Sequence, residues 1–155
     1  MQDMKDYLAA HEFFAGLNDD FLTLLSEFAT EKHYKAGEVL FQQGKAADRF
    51  YLVREGQVSV QVPALVGPTL ELQVLGHNQI LGWSWLIPPY RWNFQARATT
   101  DSTVLEFDGK AILERCEKDP KFGYELFKRF TELMSDRLNS ARQKMMDEWN
   151  PPGFA

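Results

Sequence analysis

The sequence predicts a mainly β protein flanked by helices, an antiparallel sandwich or barrel followed by a long C-terminal helix. Three observations carry this expectation. Residues 31–107 break into short alternating apolar segments separated by glycine turns. Asn18, Asp19 and Asp20 offer capping oxygens ahead of a helical apolar stripe near the start. Asp119-Pro120 supplies a cap and a first-turn proline ahead of a much longer helix near the end.

Residues 1–30 are predicted helical. Within them Phe21, Leu24, Leu25 and Phe28 share one helical face. In the β region the clearest segment is "RFYLVREGQVSVQV". Phe50 and Leu52 alternate with Tyr51 and Val53, Glu55-Gly56 makes a turn, and Val58, Val60 and Val62 alternate with polar residues. That spacing predicts a hairpin. "YKAGEVLFQQG" predicts another strand, turn and strand, with Gly37 and Gly44 placed where positive φ is useful. "TLELQVL" and "TVLEFD" are two further short strands. Residues 108–150 turn helical again. Asp108 caps a short helix through AILERCEK, and a second helix runs from Pro120 to about Glu148. At ~1.5 Å per residue it is on the order of 40 Å long. Trp149-Asn150-Pro151-Pro152 ends it.

The 155 residues make one domain with a sizeable core. A formal net charge of -5 argues against an indiscriminate nucleic-acid binder, which would normally carry a basic stripe. Cys116 is the only cysteine, so no internal disulfide forms; it is expected to act as a small buried hydrophobe in a reducing compartment. The start, MQDMKDYLAAHEFF, is not a signal peptide, and no apolar run reaches the ~20 residues of a membrane span. A soluble, cytoplasmic protein without a membrane partner is expected. His11, His33 and His77 are far apart, read as surface or loop residues, and form no metal-ligand pattern. No metal site and no catalytic residue are expected, so the chain is read as a non-enzyme.

The stretch "LGWSWLIPPYRWNFQARA", residues 81–98, packs three tryptophans and two arginines around a double proline. It is too aromatic for a solvated loop and too broken by proline for a regular element. The order of several short motifs gives it a meaning. Phe14-Ala15-Gly16-Leu17, then Gly37-Glu38-Val39-Leu40-Phe41, Gln43-Gly44, Phe50-Tyr51-Leu52-Val53, Gly56 and Val58 follow one another. In that order and spacing the chain resembles the cyclic-nucleotide-binding domain of catabolite-activator (Crp/Fnr-type) regulators and of kinase regulatory subunits. The resemblance implies a cupin-like double-stranded β-helix, an eight-stranded jelly roll, before the long helix.

It also implies that residues 80–98 form a phosphate-binding cassette. In the family this cassette opens Gly-Glu, the Glu taking the ribose hydroxyl, and an Arg about ten residues on holds the cyclic phosphate. Here Gly82 falls on the family glycine, Trp83 where the Glu belongs, Trp92 where the Arg belongs and Asn93 on the small residue after it. Arg97-Ala98 match the residues that open the next strand. The candidate binding residues are therefore Gly82, Trp83, Ser84, Trp85, Leu86, Arg91, Trp92, Asn93 and Arg97. Arg91 stands one position early as a substitute cation, and Ser84 and Asn93 offer neutral hydrogen bonds. Two readings stay open. One is a pocket for a small-molecule effector, a cyclic nucleotide or another small anionic ring, with no other cofactor. The other is a pocket filled by tryptophan, in a ligand-independent interaction or scaffold module.

On the last helix, Phe127, Phe130, Met134, Leu138, Ala141 and Met145 recur at steps of three or four. Such an exposed apolar stripe predicts a parallel two-fold homodimer. The charged face with Lys128, Arg129, Arg137, Arg142 and Lys144 reads as solvated. No recognition helix follows within these residues. A regulatory sensor module that signals through a protein partner, without binding DNA itself, is expected.

Overall fold

The computed structural model describes residues 3–63 and 66–149. The segment Asn150 to Pro152, expected to end the last helix, lies outside the described residues. Two helices open the chain, α1 (Met4–Ala10) and α2 (Asp19–Glu27). Eight strands follow: β1 (Ala29–Tyr34), β2 (Val39–Phe41), β3 (Arg49–Glu55), β4 (Val58–Val62), β5 (Leu70–Leu75), β6 (Ile80–Leu81), β7 (Gln95–Ala98) and β8 (Ser102–Asp108). A 3-10 turn (Ser84–Leu86) stands between β6 and β7, and α3 (Gly109–Lys118) and α4 (Pro120–Trp149) close the order.

The strands form two antiparallel four-stranded sheets, β1-β8-β3-β6 and β2-β7-β4-β5. This corrects the expected hairpins. β3 and β4 are consecutive but lie in opposite sheets, β3 pairing with β6 and β8 and β4 with β5 and β7. β1 and β2 are split in the same way. The turn at Gly56 is thus a corner of the jelly roll. Its φ is +90°, and a Cβ there would stand 2.3 Å from Ser102 Oγ and 2.6 Å from the Asp101 carbonyl. Only glycine fits both the backbone and the space.

Strand β3 is covered on both sides. Phe50 and Leu52 pack into a helix-side core, while Tyr51 and Val53 face the interior of the roll, and all four are fully buried. A strand covered on both faces reads as a continuous apolar run, which is the pattern of FYLV. The helix-side core takes Leu8, Phe14, Phe21, Leu25, Ile112, Phe122, Leu126 and Phe130. Cys116 belongs to it, and burial pushes its thiol up to about 11. The interior core takes Phe41, Val58, Val60, Leu75, Ala96, Ala98 and Val104.

The helix starts follow the capping chemistry. Asn18 Oδ1 accepts from the Phe21 N–H at 2.9 Å, and Asp108 Oδ1 from the Ala111 N–H at 3.0 Å. Asp119 Oδ1 accepts from the Phe122 N–H at 3.3 Å, just inside the 30 residues of α4.

His11 differs from its reading as a surface residue. It is 8% exposed, in the turn after α1. The Phe13 N–H donates to its Nδ1 at 3.0 Å, which leaves the ring proton on Nε2 to donate to the Asn78 carbonyl at 2.7 Å. Desolvation is the main effect on the ring and lowers its pKa from the ordinary 6.5. The unfolded chain therefore takes up this proton at higher pH than the folded one. Well above pH 6.5 both states are neutral here and this group leaves stability unaffected; stability falls as the pH drops through that value towards the lowered folded pKa. Urea denaturation at pH 7.5 and 5.5 is expected to show a smaller loss of stability in His11→Gln than in the parent chain. Equal losses would rule this out.

Candidate functional site

Residues 80–98 run from β6 through the 3-10 turn to β7, and their three tryptophans go three ways. Trp85, on the 3-10 turn, is 1% exposed and enters the helix-side core. Its ring stacks on Phe50 at 5.1 Å, meets Phe130 edge-on at 5.3 Å, and its indole N–H donates to the Gly82 carbonyl at 3.2 Å. Trp92 is 3% exposed and enters the roll interior, stacked on Phe41 with ring centres 3.7 Å apart. Its ring lies against Gly82, where a Cβ would meet Trp92 Cη2 at 2.9 Å. Gly82 also has φ +97°, so a side chain is excluded twice. Trp83 alone of the three is half-buried rather than buried.

Trp83 borders a cavity of about 420 Å³ between the roll and α4. Its walls are Val60, Leu72, Gln73, Leu81, Trp83 and Phe94 on the roll side and Met134, Arg137, Leu138, Ser140, Ala141 and Lys144 on α4. Phe94 stands edge-on to Trp83 at 6.1 Å. The Arg137 guanidinium lies 5.6 Å from the Trp83 ring centre and donates to the Ile80 carbonyl. Desolvation pushes its pKa down to about 10, so it stays charged at neutral pH. Lys144 Nζ donates to the Glu71 carbonyl at 3.4 Å.

Of the nine cassette candidates, only Trp83 lines this cavity. Arg91 does not reach it. Its backbone bridges to Ala46 and its exposed guanidinium donates to the Gly44 carbonyl at 3.0 Å. Arg97 Nη1 donates to the Gly37 carbonyl at 2.6 Å. Asn93 is exposed, while Ser84 and Leu86 are buried in the turn. Sequence reasoning missed Arg137, which it placed on a solvated face. Arg129 is also held, by Glu125 at 2.8 Å and by the Ala15 carbonyl at 2.8 Å.

The helix stripe divides. Phe130 is fully buried against Phe13, Phe50 and Trp85 and belongs to the core, not to an exposed seam. The reason is rotation: three residues beyond Phe127 is about 60° round an α-helix. Met134, Leu138 and Ala141 border the cavity. Phe127, Leu138 and Met145 are 38%, 70% and 53% exposed, so Leu138 both edges the cavity and reaches outward. Among the described residues no three His, Cys, Asp or Glu side chains stand together as a metal site, and no helix is long and apolar enough to cross a membrane.

A jelly roll of two four-stranded sheets, with an aromatic loop between β6 and β7 and a long helix over a pocket, defines a helix-flanked class of β-roll domain. Residues 31–119, more than half of the chain, match the cyclic nucleotide-binding domain family, and the chain belongs to it. Among solved structures, a Geobacter metallireducens protein named for cyclic-nucleotide binding is 28% identical, with TM-score 0.80 over 89% of this chain and 99% of that one. A cyclic nucleotide-binding domain from Methylobacillus flagellatus gives TM-score 0.79 at 14% identity, covering 98% of this chain and 85% of that one. The Thermus thermophilus catabolite activator protein gives 0.68 at 24% identity, covering 86% and 61%. These last two show the fold. A cGMP-dependent protein kinase of Drosophila melanogaster is 30% identical over 60 residues, a match spanning 39% of this chain and 6% of the kinase.

Proposed function

We propose that this chain is a cytoplasmic regulatory module whose pocket has departed from cyclic-nucleotide chemistry, which pairs with a second copy through α4 and passes the state of its pocket to a protein partner. The carrying observation is the packing of Trp92. Its ring is held between Phe41 and Gly82 in the roll interior, at the position the resemblance gives to the phosphate-binding Arg. With Trp83 at the position of the ribose-binding Glu, both ligand-holding charges are gone. Over a pocket wholly closed by tryptophan, this reading is favoured by the cavity of about 420 Å³ beside Trp83. No catalytic step is assigned.

Pairing is supported by the outward seam Phe127, Leu138 and Met145. In a two-fold dimer each Leu138 is buried, and each contributes about 1.5–3 kcal/mol. Leu138→Glu therefore removes about 3–6 kcal/mol per dimer, a factor on the order of 10² to 10⁴ in the dimer constant. Sedimentation velocity at micromolar concentration is expected to give a dimer for the parent chain. Leu138→Glu is expected to give a monomer with an unchanged circular dichroism spectrum. A monomeric parent chain counts against the reading.

A further inference from the structure

We propose that the cavity between α4 and the roll takes a flat apolar monoanion of the aryl-carboxylate type, with Arg137 as partner of the anion and Trp83 and Phe94 as walls for its ring. This rests on the reading of the chain as a ligand-responsive module and names the ligand class. The first support is charge. The chain carries a formal net charge of -5, yet the cavity is bordered by two cations, Arg137 and Lys144, and by no acid. Arg137 forms no ion pair among the described residues. It also borders the neighbouring groove, where Glu132 and Asp136 stand, but pairs with neither.

A guanidinium carries five N–H donors in a planar fork that matches a carboxylate. Here one carbonyl, that of Ile80, accepts from it. Desolvation is the sole effect acting on its pKa, with no acid offsetting it. A partly desolvated cation without a counter-charge is costly, and an entering anion relieves that cost. The second support is the wall. Val60, Leu72, Leu81 and Met134 present apolar surface beside the two aromatic rings. A ribose and a cyclic phosphate need several fixed polar partners, and the uncharged polar side chains here are Gln73 and Ser140. One half-buried guanidinium fits one negative charge, since Lys144 is exposed and turned to Glu71. The volume of about 420 Å³ lies within the range of small-ligand pockets.

The test is isothermal titration of the whole chain with 1-naphthylacetate and with its neutral counterpart 1-naphthylacetamide. The carboxylate is expected to bind one per chain, about tenfold tighter than the amide, with an advantage that shrinks as salt is added. Arg137→Gln is expected to bring the carboxylate to about the amide's affinity for the same variant. Arg137→Lys keeps part of the preference, so the assignment stays testable if the Gln variant melts early. Ala141→Trp, which fills the cavity from the helix, is expected to abolish both. Equal affinity for the two probes, an undiminished preference in Arg137→Gln, or no binding of either overturns the proposal. Those outcomes bear on the cavity alone, while sedimentation of the parent chain reads pairing through α4, so the two readings are tested by separate measurements.

Discussion

Cyclic AMP and cyclic GMP are expected to bind this chain about 10² to 10⁴ more weakly than a pocket that keeps both ligand-holding charges. Each lost bond to a charged group is worth roughly 1.5–3 kcal/mol, and two together cost about 3–6 kcal/mol. The structure sharpens the reason. Trp92 cannot swing aside without leaving Phe41, 3.7 Å away, and opening a hole beside Gly82. Arg91 is held elsewhere, its backbone bridged to Ala46 and its guanidinium donating to the Gly44 carbonyl. Base stacking on Trp83, worth about 1–3 kcal/mol, offsets part of the loss. Isothermal titration with both nucleotides measures it, and a sub-micromolar dissociation constant for either would sink the idea. Trp83→Glu restores one charge and leaves the Trp92–Phe41 stack intact. It is expected to recover about tenfold in affinity. Adding Trp92→Arg restores the second charge but removes a packed indole, so the double variant gains affinity and loses stability together.

Trp85→Ala is expected to lose about 3–5 kcal/mol of folding stability. That is a large share of the 5–15 kcal/mol typical of a domain. Trp85 is where four elements meet: it sits on the 3-10 turn, stacks on Phe50 of β3, touches Phe130 of α4, and lies where a Cβ on Gly109 of α3 would meet its Cδ2 at 3.0 Å. Removing the indole leaves a void no single neighbour can fill. Equilibrium urea unfolding gives the number, and a loss below about 1 kcal/mol would show that the site collapses freely.

Local patterns were legible and distant partnerships were not. The Asn18 cap, the alternation in "RFYLV" and the start of α4 at Asp119-Pro120 depend on residues within one or two turns of each other. The sheet partners of β3 are β6 and β8, the latter some fifty residues away, and nothing in the spacing around Gly56 distinguishes a hairpin from a corner. The place of residues 81–98 beside the later strands came from the family resemblance; their aromatic and proline content marked them only as unlike a solvated loop. The three directions of their tryptophans were not legible, since Gly82 and the 3-10 turn set them. Phe130 was misread because steps of three and four carry a stripe round the helix from seam to core. Arg137 was misread because a charged residue on a long helix is solvated unless another element covers it, and here Trp83 and β6 do.

The core fixes α4 over its first half only. Phe122, Leu126 and Phe130 are fully buried, whereas Leu138 and Met145 are largely exposed. Beyond Phe130 the helix is tied to the roll by single side chains, Arg137 to the Ile80 carbonyl and Lys144 to the Glu71 carbonyl. Mechanically such a rod is firmly clamped at one end and lightly pinned along the rest. On the proposed reading, a ligand that displaces the pin at Arg137, about 10 Å beyond Phe130, is expected to free the outer half of the helix, with Met145, about 22 Å along, moving most.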